Sequence, residues 1–338
     1  MAYRISVGII APSSVVPEVE LKLGVQQLKD AGFLVKVHPQ CKRAAFIFSG
    51  SDDERARAFY DYAVDPSIQV LWCARGGYGA NHLLAYLEKM TEKRGIPEKK
   101  LLVGYSDATL LMEFARARWG WSTLHAPMPG LRNFGTLEKS EWKSLVELVN
   151  HERPAVLPWK KTRLDFLGKA PKSAIRGKLI GGNLSAFMTL IGTPFAPAKN
   201  RERILFLEDI DESLSRIDRM VRHLMGAGIF ERVKAVVLGN FLNCRDYVPL
   251  VLKKAASGKN LRRSLASPRP GDLKPLRKAF TQEQAFEEIF REIRRKYGIP
   301  VATGFPSGHG PGHAPLPLGA YYSLFPDGRF ELDKWDWL

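Results

Sequence analysis

Leu101-Leu102-Val103-Gly104-Tyr105-Ser106-Asp107-Ala108-Thr109-Leu110-Leu111 decides the fold, because a short apolar run passes through one serine into a helical pattern. Gly104 and Ala108, two places before and after Ser106, relieve the crowding of a tight strand-to-helix turn, although the G-x-S-x-G elbow has glycine at both places. Such a turn exposes the serine hydroxyl and places the next backbone N–H groups at a helix N-terminus. The stretch predicts either a serine nucleophile or an ordinary serine helix cap with Asp107 in the first turn.

Before this turn, short apolar runs alternate with helical patterns. The predicted strands are 5–11, 33–38, 68–73 and 100–104, and the predicted helices are about 17–31, 53–64 and 79–90. Runs such as Ile68-Gln69-Val70-Leu71-Trp72-Cys73 are mostly apolar, which is typical of strands buried on both faces. The alternation predicts an α/β fold whose N-terminal parallel sheet has helices on both faces.

The length of 338 residues exceeds what one core usually holds, so we expect two domains. A proline-containing, basic stretch begins at Pro154 and suggests the boundary. We place the N-terminal domain at 1–155, a linker at 156–174 and the C-terminal domain at 175–338.

The composition is that of a soluble globular protein, with 45% hydrophobic and 25% charged residues. No apolar run reaches transmembrane length, and Tyr3–Pro12 is too short for a signal peptide, so we expect a cytoplasmic protein without membrane insertion. The cysteines, Cys41, Cys73 and Cys244, are odd in number and far apart. This spacing disfavours a disulfide framework and a zinc cluster, and we treat them as free thiols.

Half of the formal net charge of +16 lies in a basic excursion at about 245–278, which has ten basic and two acidic residues. Its Ser, Gly and Pro content predicts a surface loop rather than a continuous helix. No aromatic residue lies between Val248 and Ala279, which disfavours stacking on single-stranded nucleic acid. Nucleic acid is therefore not the expected partner, although a nucleic-acid-associated binding module with a vestigial site is an alternative of a different class.

A glycine-rich turn follows the strand that ends at Cys73. Ligands bind beyond the carboxyl ends of parallel strands, so this turn and the Ser106 turn should share one crevice. Gly76 or Gly77 could supply a backbone N–H that joins the N–H of Asp107 in an oxyanion hole. A purely structural turn is the alternative, because the spacing is not that of a nucleotide-binding fingerprint.

A serine nucleophile needs a base and an orienting acid. His309 and His313 lie in a turn-rich segment, Thr303–Gly319, whose glycines and prolines exclude a helical metal-binding pair. His125 could line the same crevice or be a structural histidine. Glu208 is the first acid after the apolar run that starts at Arg203, and the acids after it, Asp209, Asp211 and Glu212, could instead bind amides or cap a helix near Ser213.

Six ordered motifs together resemble the LD-carboxypeptidase family of serine peptidases, which includes muramoyltetrapeptide carboxypeptidases and microcin C immunity peptidases. The resemblance spans nearly the whole chain. The motifs are Phe48-Ser49-Gly50-Ser51-Asp52-Asp53-Glu54-Arg55, Trp72-Cys73-Ala74-Arg75-Gly76-Gly77-Tyr78-Gly79, Gly104-Tyr105-Ser106-Asp107, Gly181-Gly182-Asn183-Leu184-Ser185, Phe206-Leu207-Glu208-Asp209, and Gly308-His309 followed by Leu316-Pro317-Leu318-Gly319.

The resemblance implies a catalytic triad of Ser106 as nucleophile, Glu208 as acid and His309 as base, with an oxyanion hole at Gly77 and Asp107. It implies that the N-terminal domain carries the serine, that a second, C-terminal α/β domain carries the acid and base, and that the active site lies between them. It further implies a homodimer and a reaction that needs no cofactor or metal.

The implied reaction is hydrolysis of the L,D-peptide bond to the terminal D-alanine of murein tetrapeptides, a step of peptidoglycan recycling. An exopeptidase must also bind a terminal carboxylate, for which Arg75 with the neighbouring Gly76 is a candidate, while Arg75 could equally brace the glycine loop. The alternative within enzymes is an immunity-type peptidase that cleaves a peptidyl-nucleotide or another acyl-amino-acid conjugate.

Overall fold

Two sheets built around parallel strands organise the described part of the chain. The computed structural model describes residues 4–152, 154, 157, 159–197, 202–246, 250–252, 273–275, 281–310 and 312–337. The helices are α1 (Glu18–Asp30), α2 (Asp52–Val64), α3 (Leu84–Arg94), α4 (Thr109–Arg118), α5 (Lys139–Val149), α6 (Leu184–Thr189), α7 (Leu214–Gly226) and α8 (Gln282–Tyr297). The strands are β1 (Ser6–Ile10), β2 (Leu34–Val37), β3 (Val70–Cys73), β4 (Leu101–Gly104), β5 (Ser122–His125), β6 (Asp165–Phe166), β7 (Ile175–Asn183), β8 (Arg203–Ile210), β9 (Val233–Leu242), β10 (Leu250–Leu252), β11 (Leu273–Pro275), β12 (Val301–Thr303), β13 (Leu316–Leu318), β14 (Tyr321–Leu324) and β15 (Phe330–Lys334).

The first sheet has the strand order β13-β5-β4-β3-β1-β2. Strands β1 to β5 are parallel, and only β13 runs antiparallel to its neighbour β5. All residues of β1, β3, β4 and β5 are buried, as their apolar sequences require. This sheet confirms the predicted α/β fold, and the predicted strands and helices up to residue 104 agree with the observed ones within a few residues, apart from a 3₁₀ turn that precedes α3.

The second sheet has the order β15-β14-β7-β8-β9-β12-β6, with β7, β8, β9 and β12 parallel. Helices α7 and α8 bury one apolar face each in a core that includes Leu224, Phe290 and Ile293. Helix α7 begins at the predicted place, but Ser213 caps it, rather than one of the preceding acids, by accepting a hydrogen bond from the Arg216 N–H. Strand β13 lies in the first sheet, although the strands before and after it in the chain, β12 and β14, lie in the second.

Helix α4, which follows Ser106, contacts the carboxyl end of β7. The Asn183 N–H donates to Thr109 Oγ1 at 3.1 Å, and the Gly181 N–H donates to Glu113 Oε1 at 3.2 Å. Gly182 lies between them with φ of 138°, and a Cβ atom there would lie 2.6 Å from Thr109 Oγ1. Glycine is required at this position for both reasons.

The predicted basic excursion at 245–278 lies mostly outside the described residues. Two short pieces of it, β10 and β11, pair antiparallel. Among the helices that the structure describes, none is long and apolar enough to cross a membrane.

The α4–β7 contact predicts a sharp difference between two glycine substitutions. Gly182→Ala should lower the free energy of unfolding by about 2–4 kcal/mol, because it adds a buried clash to the cost of a positive φ. Gly192 also has a positive φ, 91°, but a Cβ there would meet nothing within 4 Å, so Gly192→Ala should cost only about 1 kcal/mol. Denaturant unfolding measures both, and equal losses would show that α4 and β7 do not pack in this way.

Candidate active site

Ser106 lies at the turn between β4 and α4 in a left-handed backbone conformation, with φ of 59°. Non-glycine residues rarely adopt this conformation, and such strain is found at functional sites. A Cβ on Gly104 would lie 2.9 Å from the Ala108 Cβ, so the small residues on either side of Ser106 allow the turn to close. Tyr105 occupies the cap position and no side chain caps this turn. The structure therefore has the sharp turn and not the serine cap.

The glycine-rich loop after β3 lies against Ser106. A Cβ on Gly76 would lie 2.9 Å from Ser106 Cβ and 3.3 Å from the Asp107 backbone nitrogen. Gly77 has φ of 102°, and a Cβ there would lie 2.3 Å from Ser14 Oγ. Only glycine allows so close an approach, and the loop thereby brings its backbone to the same cavity as Ser106 and Asp107.

The Asp107 side chain ties the serine turn to the glycine loop. Its Oδ2 accepts a hydrogen bond from Ser13 Oγ at 2.6 Å and another from the Ala80 N–H at 2.8 Å. Burial raises the pKa of Asp107, and these two hydrogen bonds oppose that shift. Arg55, at the end of the first motif, donates to the Gly79 carbonyl at 2.9 Å and thus braces the loop from its other side.

Glu208 and His309 form a direct hydrogen-bonded pair. Glu208 is fully buried on β8, and its Oε2 accepts from the His309 backbone N–H at 3.0 Å and lies 2.8 Å from His309 Nδ1. Gly308, with φ of 116°, allows this approach, since a Cβ there would lie 2.6 Å from Glu208 Oε2. An ionised carboxylate only accepts, so Nδ1 carries the proton and His309 Nε2 keeps a free electron pair.

The two groups shift each other's pKa in opposite directions. Burial favours the neutral form of Glu208, but the charge and the hydrogen bond of His309, together with the nearby His125, outweigh it, and the pKa of Glu208 lies well below its ordinary value. Burial likewise disfavours charged His309, yet the Glu208 charge prevails and raises its pKa above 6.5. Glu208 is therefore ionised, and His309 keeps its proton to higher pH than a free imidazole does.

His309 also lies beside the serine turn, because its ring centroid is 4.7 Å from that of Tyr105, the residue before Ser106. Within the described residues, Ser106 Oγ has no hydrogen bond to His309 or to any other group. Catalytic hydrogen bonds are often long without a substrate and shorten when one binds. The structure thus brings Glu208 to His309 and Gly76 to Ser106, and Tyr105 links the two pairs, because it precedes Ser106 and its ring contacts that of His309.

Two further histidines lie near Glu208: His125, which the sequence offered as a crevice residue or a structural histidine, and His313. His125 Nε2 is 3.8 Å from Glu208 Oε1, and its Nδ1 is 3.2 Å from His313 Nε2. Both side chains are almost fully buried. His125 ends β5 beside Gly104 of β4, and this register is the signal that connects it to the serine turn. In the described ranges, no group of three or more His, Cys, Asp or Glu residues is arranged to hold a metal ion.

A cavity of about 390 Å³ extends from Ser106 towards the second sheet. Asp209 lines it, accepting from Asn183 Nδ2 and from the Ser185 N–H, both at 2.9 Å. Burial and the neighbouring charge of Glu208 raise the pKa of Asp209 to about 6. Arg216 lines it as well and pairs with Glu212 at 2.8 Å. The sequence did not identify Asn183 or Arg216 as cavity residues, because only tertiary contact brings them opposite Ser106.

Arg75 does not line this cavity. Its guanidinium donates to the Val15 carbonyl at 2.8 Å, which is the bracing role considered for it. Its binding of a terminal carboxylate stays a prediction.

Two family models match the chain. The LD-carboxypeptidase N-terminal domain matches residues 7–126, and the LD-carboxypeptidase C-terminal domain matches residues 176–324. The chain belongs to the LD-carboxypeptidase family. This confirms the resemblance drawn from the six motifs.

Individual members of the family extend the similarity over nearly the whole chain. The murein tetrapeptide carboxypeptidase of Pseudomonas aeruginosa is 26% identical and covers 93% of this chain and 91% of its own. The microcin C7 self-immunity protein MccF of Escherichia coli is 26% identical over 68% of this chain and 72% of its own. The crystal structure of muramoyltetrapeptide carboxypeptidase from Oxalobacter formigenes superposes with a TM-score of 0.69 at 26% identity, covering 96% of both chains.

The Glu208–His309 pair predicts the titration of His309 by NMR. His309 should titrate above 6.5, and Glu208→Gln should lower its pKa, because the amide removes the main charge that opposes the effect of burial. The attraction stabilises the fold fully below 6.5 and is lost as the pH rises through the His309 pKa of the folded protein. His38, whose pKa is lowered by burial and is not affected by Glu208, serves as the internal reference. An unchanged His309 pKa in Glu208→Gln would contradict the pairing.

Proposed function

We propose that the protein is a serine carboxypeptidase that hydrolyses the L,D-peptide bond to the terminal D-alanine of murein tetrapeptides. The observation that carries the proposal is the buried Glu208–His309 pair beside the strained turn of Ser106. Membership of the family, together with the murein tetrapeptide enzymes among the similar proteins, supports the substrate class.

In the proposed first step, Ser106 attacks the carbonyl carbon of the L,D-peptide bond. His309 Nε2 takes the Oγ proton as the C–O bond forms, and Glu208 stabilises the resulting imidazolium through Nδ1. When the C–N bond breaks, the same proton passes to the amine of the leaving D-alanine. This leaves the tripeptide as an ester on Ser106.

The negative charge that develops on the carbonyl oxygen needs donors that are already in place. We assign these donors to the backbone N–H groups of Gly77 and Asp107, which line one cavity with Ser106. The Asp107 side chain supports this arrangement, because it holds the loop through Ala80.

Water completes the cycle by attacking the ester carbonyl. His309 Nε2 accepts a proton from this water, the ester C–O bond breaks, and the proton returns to Ser106 Oγ. The tripeptide leaves with a new carboxylate. The chain's own residues supply every proton transfer in this sequence.

Replacement of each proposed triad residue should abolish D-alanine release. Ser106→Ala, Glu208→Ala and His309→Ala should each lower kcat by about 10³-fold or more, because triad residues act as a unit. Purified protein is incubated with murein tetrapeptide and free D-alanine is measured. Ser67→Ala, which changes an exposed serine outside the cavity, is the matched control and should leave the rate unchanged.

Other results would redirect the proposal. Equal release by Ser106→Ala would exclude Ser106 as the nucleophile. Failure of the wild type on murein tetrapeptide, combined with Ser106-dependent cleavage of an aminoacyl nucleotide, would instead support an immunity-type peptidase. Salt-sensitive DNA binding without any hydrolysis would support the nucleic-acid-binding alternative.

The position of Arg216 in the cavity predicts which cation binds the terminal carboxylate. Arg216→Ala should raise KM about tenfold or more with a smaller effect on kcat, the scale of losing a charge-assisted hydrogen bond. Arg75→Ala, whose guanidinium braces the Val15 carbonyl outside the cavity, should change KM less. Steady-state kinetics on the tetrapeptide compare the two, and a larger KM effect from Arg75→Ala would restore the assignment made from the sequence.

A further inference from the structure

We propose that His125, oriented by His313, is a positioning residue that holds the second oxygen of Glu208 and thereby sets the basicity of His309. This inference rests on the proposed function, because it concerns the acid of the proposed triad. It assigns a role to two residues outside the proposed triad, His125 and His313, and a separate measurement tests it.

The two oxygens of Glu208 have unequal surroundings. Oε2 receives both hydrogen bonds from His309, whereas Oε1 is buried and has no hydrogen-bond partner. His125 Nε2 is likewise buried without a hydrogen-bond partner, and it lies 3.8 Å from that same Oε1. A buried donor and a buried acceptor without partners therefore face each other, and an approach of about 1 Å would form the bond.

Only one combination of the His125 and His313 tautomers lets His125 Nε2 donate to Glu208 Oε1. His125 Nδ1 lies 3.2 Å from His313 Nε2 and 3.3 Å from Ser307 Oγ. Because an imidazole pair needs one donor and one acceptor, His313 Nε2–H donates to His125 Nδ1 when His125 presents its own Nε2–H to Glu208. In this order, His125 and His309 both direct an N–H towards the carboxylate.

The surrounding residues hold the histidines in this arrangement. The Tyr105 ring contacts all three imidazoles, with centroids 5.7 Å from His125, 4.7 Å from His309 and 4.5 Å from His313. The His313 backbone N–H donates to Glu141 Oε1 at 2.9 Å. The ionisable groups that face His125 are Glu208 from β8, Tyr105 after β4, and His313 from the segment between β12 and β13. His309, whose titration the test follows, is faced by Glu208 and, more weakly, by Asp209 and Asp211.

The second contact matters because it competes with His309 for the charge of Glu208. A donor at Oε1 draws negative charge away from Oε2 and limits how strongly the carboxylate stabilises the His309 imidazolium. Without it, the His309 pKa should rise, and the base would be neutral only at higher pH. The carboxylate would also lose the group that fixes its rotation.

Three variants test the inference. His125→Leu removes both nitrogens, His125→Gln keeps an N–H near the place of Nε2, and His313→Leu leaves His125 in place but removes its orienting donor. We expect His125→Leu to lower kcat by about 10- to 100-fold with little change in KM, and to shift the acid limb of the kcat/KM profile to higher pH. His125→Gln should restore most of kcat and return the limb towards the wild-type position.

Two measurements allow the role of His125 to be tested independently of the proposed substrate. D-alanine release from murein tetrapeptide gives kcat, KM and the pH profile, and labelling of Ser106 by a fluorophosphonate probe reports serine activation without any peptide. If the wild type reacts with the probe but not with tetrapeptide, and His125→Leu slows the labelling, the substrate is wrong and the positioning role stands.

The positioning role would be overturned if His125→Leu folds and both the acid limb of its kcat/KM profile and its labelling rate are those of the wild type. If His125→Leu does not fold, His313→Leu must show a limb shift in the same direction, and its absence would count equally against the inference. A wild-type protein that neither labels nor releases D-alanine would overturn the proposed function and this inference together.

Discussion

Burial of the Glu208 carboxylate is the constraint on which the rest of the site depends. A fully buried negative charge is costly unless hydrogen bonds and a cation compensate for it. His309 supplies both, through its backbone N–H and its imidazole, and Gly308 makes the approach possible by lacking a side chain. The same burial prevents water from screening the pair, so the charge acts strongly on the histidine.

Three buried acids near the site reach different states because their neighbours differ. Glu208 pairs with His309 and its pKa is lowered, whereas Asp107 accepts from Ser13 and the Ala80 N–H, and burial raises its pKa despite the charge of Arg55. Asp209 lies next to the charge of Glu208, and its pKa rises to about 6 despite several donors. One carboxylate thus pairs with His309, the second holds the glycine loop, and the third holds Asn183 at the start of α6.

Local sequence was sufficient to predict the features that depend on residues close together in the chain. The apolar runs predicted the parallel strands, and Gly104 with Ala108 predicted the sharp turn at Ser106. The order of the motifs led to Glu208 and His309, which the structure pairs. Residues that meet only through tertiary contact could not be predicted in this way.

The contacts that could not be predicted join residues far apart in the chain, including the contact between Glu208 and His125, which the sequence offered only as a possible crevice residue. His125 reaches Glu208 because β5 lies beside β4, and His313 reaches His125 because its segment crosses between the sheets. The Asp107 side chain found its partners on two earlier loops, and Arg216 reached the cavity only through the placement of α7. None of these distances is encoded by spacing along the chain.

The connection between β12 and β13 explains how two sheets can hold one site. Strand β12 belongs to the second sheet and β13 to the first, so the segment that carries His309 and His313 is anchored at one end on each. The separation between Ser106 and His309 is therefore fixed from both sides, with the α4–β7 contact as the third point of attachment. A histidine held by one sheet alone would move with that sheet, whereas His309 keeps its place beside Tyr105 only while both sheets remain packed together.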